Sequence, residues 1–231
     1  MLARLRSSFS DRRIAVLAGL GALSAAVLGL VAFRVAYTHS SDGTNLVWNL
    51  FLAWIPLWLA LLLYDRHAHR ARLATLASLG LLWLLFFPNA PYIVTDSKYL
   101  AGSTGREFWY DGLMVGTAAM IGLLLGFVSL YLLHAIVRRG VGARPAWFFV
   151  FGVLGLSSFG VYLGRVLRWN SWVVFVRPGT LAADISRALL DPLGHPRSIA
   201  ITLLFTAFLG ASYLLFYAVA RATSLLPDEP S

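Results

Sequence analysis

Apolar residues in this chain fall in long unbroken runs, not in the short alternations that mark half-buried elements of water-soluble proteins. Six stretches lack Asp, Glu, Lys and Arg altogether: 14–33, 43–64, 73–95, 112–137, 145–164 and 198–220. A helix needs about 20 apolar residues to cross about 30 Å of hydrocarbon, and each run is long enough. The pattern predicts an all-α fold, an integral membrane bundle of six transmembrane helices. The expected organisation is a cytoplasmic basic N-terminus over 1–13, a single transmembrane domain over 14–220 and a tail over 221–231 that reads as a disordered end. The first run follows Arg12 and Arg13 and is longer than the roughly 7–15 apolar residues of a secretory signal, so an uncleaved anchor is expected.

The third run is interrupted. Leu73 to Phe87 is followed by Pro88-Asn-Ala-Pro91, and proline withholds a donor and disfavours helix in the residue before it. The third helix is therefore expected to break there. Pro88 to Thr95 would then form a re-entrant, pocket-lining segment, because irregular backbone at membrane depth must be buried in protein or line a wet cavity. Simple fraying at the interface, with Asn89 as a local cap, is the competing reading. After the fifth helix, Arg177-Pro-Gly-Thr180 predicts a turn. A short amphipathic interfacial helix should follow, with Leu181, Ile185, Ala188 and Leu189 on its apolar face, before the sixth span.

A second polar group closes the fifth helix: Tyr162, Arg165, Arg168, Trp169, Asn170 and Ser171. Tyr162, Arg165 and Trp169 share a helical face, and Arg168 lies one turn from Arg165. Two guanidinium forks one turn apart suit a phosphate or carboxylate. The alternative is that they snorkel to the interface while the tryptophans form an aromatic belt. Alternating crossings bring this helix end to the same face as Asp96, Asp111, Asn45 and Asn49. The expected site is a polar basin of Asn49, Asn89, Tyr162, Arg165, Arg168, Asn170 and Ser171. Asp111 is read as a helix cap or an acid; Asp96 caps a turn or neutralises Arg165.

Composition excludes a soluble domain: 59% of residues are apolar and 13% charged, against about 25% charged for a typical globular protein. The net charge of +9 distributes as +7 and +2 between the two faces when the N-terminus is cytoplasmic. Orientation then explains the basic residues, both termini are expected in the cytoplasm, and no nucleic-acid partner is implied. There is no cysteine, so thiolate chemistry is excluded. His67 and His69 beside Asp65 read as a solvated loop, so no metal and no cofactor is expected. His134 is placed at headgroup level. Gly21-xxx-Ala25-xxx-Gly29, Gly122-xxx-Gly126 and Gly160-xxx-Gly164 serve either packing within the bundle or a homo-oligomer face.

Three blocks, Asn49-Leu-Phe-Leu-Ala-Trp-Ile-Pro56, Pro88-Asn-Ala-Pro-Tyr-Ile-Val-Thr-Asp96 and Tyr162-Leu-Gly-Arg-Val-Leu-Arg-Trp-Asn-Ser-Trp172, resemble a bacterial multi-pass membrane family, domain of unknown function 1361. The resemblance implies a polytopic protein of the bacterial plasma membrane with no established activity. Its motif residues fall on Asn49, Pro88, Asn89, Pro91, Asp96, Arg165, Arg168, Asn170 and Ser171. Tyr99 stands where the family usually has histidine, and Val173 where it usually has aspartate, which counts against metal catalysis.

The function expected from these features is binding, as a binding or accessory protein, of membrane lipid: an anionic headgroup or lipid-linked ligand held in the outer-leaflet basin. A membrane-embedded enzyme with Asp96 or Asp111 as general base is the alternative. A small transporter is the third reading, and the apolar inner halves of the spans give it no polar path.

Overall fold

The structure is a computed structural model, and it describes residues 2–39, 43–96, 105–166 and 196–222 together with Gly179. Among the described residues there is no strand. The helices are α1 (Leu2–Thr38), α2 (Thr44–Ala68), α3 (Leu73–Phe86), α4 (Asn89–Tyr92), α5 (Arg106–Val141), α6 (Ala143–Val166) and α7 (Pro196–Ala222). A 3-10 turn, Ile93–Thr95, follows α4. Six stretches are long and apolar enough to cross a membrane: Arg13–Thr38, Thr44–Ala68, Leu73–Thr95, Glu107–Val141, Ala143–Arg165 and Ser198–Ala222. The expected interfacial helix lies outside the described residues, as does the expected tail beyond Ala222; Arg221 and Ala222 still belong to α7.

The outer surfaces fit hydrocarbon better than water. On α7, Leu203, Leu204 and Leu215 are 64%, 75% and 68% exposed, and Phe148 on α6 is 81% exposed. In water such a surface would be an aggregation hazard, whereas in lipid it is the ordinary boundary.

Helix α3 ends at Phe86 and the separate short helix α4 opens at Asn89, but the proline segment is not the irregular backbone expected. The Phe87 amide still donates to the Trp83 carbonyl at 2.8 Å, and Phe87 keeps right-handed helical dihedrals, φ −54° and ψ −39°. Asn89 opens α4, and the 3-10 turn carries the chain to Asp96, whose amide donates to the Ile93 carbonyl. The physical reason is position. Pro88 precedes α4 and Pro91 lies in its first turn, where helical amides have no partner and proline costs little.

The chain divides into two compact units, residues 1–55 with 89–126 and residues 56–88 with 127–231. The first unit centres on Leu46, Leu50, Ala53, Ala90, Ile93, Met114, Ala118 and Ile121, all buried. Helix α5 comes close to α4 at Gly122. A β-carbon there would lie 2.5 Å from the Ala90 carbonyl oxygen and 3.1 Å from Ile93 Cδ1. That glycine is used inside the chain, against α4. Trp54 anchors the other side, its indole donating to Ser24 Oγ, which itself donates to the Leu20 carbonyl.

The second unit is built around Trp83 of α3, 1% exposed. Its ring packs on Phe87 and Phe149, with centroids 4.8 Å and 6.4 Å away, and its indole N–H reaches Ser129 Oγ at 3.4 Å. Gly160 of α6 faces the Pro88 ring, a second small-residue contact within the chain. Only Gly142 separates α5 from α6, and its φ of +92° supplies the left-handed turn that lets one long helix end and the next begin.

Candidate functional site

The polar side chains of the first unit gather at the end of α1, the start of α2, the end of the 3-10 turn and the first turns of α5. Arg34, in the last two turns of α1, meets Asp111 of α5 in a two-pronged ion pair: Nε to Oδ1 at 2.6 Å and Nη2 to Oδ2 at 3.0 Å. The side chains are 15% and 2% exposed, so the pair is largely withdrawn from solvent. The planar guanidinium matches both carboxylate oxygens at once, the strongest geometry such a pair adopts. The neighbouring residue reinforces it. The Tyr110 hydroxyl donates to the Leu30 carbonyl at 2.6 Å, and Phe33 packs on the Tyr110 ring at 5.7 Å. Thr38 turns its hydroxyl back onto the Arg34 carbonyl, closing the end of α1.

Asp111 is therefore no helix cap. Helix α5 already begins at Arg106, so Asp111 sits in its second turn, and its acceptors go to an arginine instead of to backbone amides. As a general base it would first have to leave a bidentate cation.

Asp96 is fully buried, and its Oδ2 accepts from Asn49 Nδ2 at 2.6 Å. Thr95, just before it, donates to the Tyr92 carbonyl and closes the 3-10 turn. A buried carboxylate is tolerated only with partners, and the α2 amide supplies one. The structure pairs Asn49 with Asp96, both singled out from sequence, and separately pairs Asp111, also singled out, with Arg34, a partner not foreseen. Asn89 opens α4 and is half-buried, and Asn45 is exposed at the start of α2.

Tyr162 and Arg165 lie near the end of α6 in the second unit. Tyr162 is buried and stacks on Phe159 at 6.2 Å; Arg165 is half-buried. Arg168, Asn170 and Ser171 lie outside the described residues.

A family model described as "Protein of unknown function (DUF1361)" matches residues 48–211. The chain belongs to this family. No curated protein and no solved structure matches it. Within this DUF1361 member, the matched stretch includes Asn49, Asp96, Asp111, Tyr162 and Arg165 but not α1. The Arg34 guanidinium thus reaches into the family region from outside it. One signal for Arg34 was available: it interrupts apolar sequence at the end of span one, on the face where the alternation of spans also places Asp111.

Proposed function

We propose that this DUF1361 protein is a six-span protein of the bacterial plasma membrane, with both termini cytoplasmic. It binds an anionic headgroup or lipid-linked ligand at the outer leaflet, as a binding or accessory protein. The ligand is held by the end of α6 and the residues after it: Tyr162, Arg165, Arg168, Asn170 and Ser171. Two guanidiniums one turn apart provide four or more forked donors for a phosphate or carboxylate.

The observation that favours binding over catalysis is the state of the carboxylates. Asp111 is committed to Arg34, and Asp96 is buried against Asn49. Both acids that a reaction would have used as a general base are fixed structural partners.

The test is lipid extraction of purified protein followed by mass spectrometry. Wild type is expected to carry more acidic lipid than Arg165→Gln/Arg168→Gln, with neutral lipid equal in both. Equal acidic lipid in the two proteins would remove these arginines from the site.

A further inference from the structure

A second cationic site lies in the second unit, at the end of α5. Tyr131, His134 and Arg138 follow one another on one face of that helix, while Tyr217 and Arg221 are one turn apart on α7. With Arg139 they line a cavity of about 480 Å³. That is within the range of about 300–1,000 Å³ typical of ligand pockets. Among the described residues, none that lines it is acidic.

The arginines are held in place by tyrosines. Arg138 Nη1 donates to the Tyr217 hydroxyl at 2.7 Å, and Arg221 Nη1 approaches the same oxygen at 3.5 Å. The Arg221 guanidinium also lies 5.7 Å from the Tyr217 ring centroid. Arg139 reaches the Tyr64 hydroxyl at 3.4 Å and lies over that ring at 5.9 Å. These contacts to neutral phenols orient the Arg138 and Arg139 guanidiniums and leave their charge in place.

His134 gives the independent sign of a ligand. It is 1% exposed, clamped edge-on by Trp147 at 4.7 Å and stacked on Tyr217 at 5.2 Å. Its Nδ1 is paired with the Tyr213 hydroxyl at 3.1 Å. Its Nε2 is buried and has no hydrogen-bond partner among the described residues. A buried ring nitrogen left without a partner is costly, and a group entering the cavity that the ring lines would satisfy it. Arginines marking the membrane boundary would account for the charge, but not for the concavity or for the orphaned nitrogen.

Depth agrees. The span Glu107–Val141 has 35 residues, about 50 Å of helix against about 30 Å of hydrocarbon, so its last turns reach headgroup level. Basic pockets between helix ends at that level are suited to lipid phosphate.

We propose that this cavity binds a phosphate group of the kind carried by anionic lipid headgroups, gripped by Arg138, Arg139 and Arg221 and completed by His134 Nε2. It is separate from the site at the end of α6, because Arg165 lies about 33 Å along that helix from its start beside the end of α5.

Full-length protein carrying Arg165→Gln/Arg168→Gln, which leaves this cavity as the proposed anion site, is titrated in detergent micelles with dioctanoyl phosphatidic acid, dioctanoyl phosphatidylcholine and inorganic phosphate, and binding is read by thermophoresis. Phosphatidic acid is expected to bind about tenfold more tightly than phosphatidylcholine, and Arg138→Gln/Arg221→Gln to lose about tenfold or more. His134→Phe is expected to weaken binding severalfold, and Arg144→Gln, on the same face of the chain but outside the cavity, to leave it unchanged. Inorganic phosphate binding as tightly as phosphatidic acid supports the phosphate site and assigns it to the free anion; much weaker binding supports the lipid. Phosphatidic acid no tighter than phosphatidylcholine overturns the proposal. So does an Arg144→Gln loss as large as that of the double variant, the mark of diffuse surface charge. Should the double variant fail to fold, Tyr217→Phe removes the hydroxyl that holds Arg138 and that Arg221 approaches, and unchanged binding in both Tyr217→Phe and His134→Phe is equally contrary.

Discussion

Replacing Arg34 with alanine is expected to destabilise the protein by about 3–5 kcal/mol, the usual cost of leaving one member of a buried ion pair uncompensated. Asp111 is the more deeply placed partner, with a side chain only 2% exposed, and it cannot recruit water in exchange. Asp111→Ala should cost a similar amount, because the Arg34 guanidinium then loses both prongs of its fork. The double variant Arg34→Met/Asp111→Leu should recover most of the loss, since apolar replacements of both partners bury no charge. Thermal unfolding of detergent-solubilised protein under fixed conditions reads all three. Single variants that unfold at the wild-type temperature would show that the pair is an incidental contact and that Asp111 is available for other work.

The second large effect is steric. Gly122→Val should cost more than the about 1–3 kcal/mol of ordinary overpacking, because even the first added carbon falls 2.5 Å from a backbone carbonyl. The Ala90 oxygen cannot swing aside as a side chain would; α4 as a whole must move away from α5. Gly122→Ala meets the same atom and should be destabilising too, by about 1–3 kcal/mol. Gly116, on the same helix, has nothing within 4 Å of its would-be β-carbon. Gly116→Ala should therefore stabilise by up to about 1 kcal/mol, through helix propensity alone. Opposite signs at two glycines of one helix separate the packing contact from any general intolerance of change. Equal effects would mean that α4 does not press on α5 there.

Most of the fold was readable from the distribution of charge, and its misreadings have one cause. The charge-free window 73–95 coincides with the third span, and the others fall within a few residues of theirs. Where they differ, the helices are longer than the windows. The fourth span runs from Glu107 to Val141 although its charge-free stretch is only 112–137. Long basic side chains such as Arg138 can lay their stems along a helix and keep their heads at the boundary, so a charge marks the edge of hydrocarbon, not the end of helix. The first span continues past Arg34 for a stronger reason. That charge is matched by Asp111, 77 residues away in the chain, and no local window can see such a partner.

The proline segment shows a similar limit. Pro88 and Pro91 announce a disturbance, but whether they unwind the backbone depends on where the missing donors fall. Here they fall at the seam and first turn of α4, where nothing is lost. Asn49 and Asp96 were each legible as polar residues near one face. Their pairing was not, because it needs the crossing of α2 past the 3-10 turn. His134 was placed at headgroup level without its partners, which come from α6 and α7.

We propose that Arg165 and Arg168 grip an anion, while Asp96 and Asp111 are engaged by Asn49 and Arg34. A structure of the full-length protein in nanodiscs of native lipid, with a rigid binding fragment to aid alignment, tests that most directly. The account predicts density for a phosphate-bearing group within hydrogen-bond reach of both the Arg165 and Arg168 guanidiniums, with Asp111 still on Arg34. Both guanidiniums closed onto carboxylates of the protein itself, with no foreign density beside them, would contradict it.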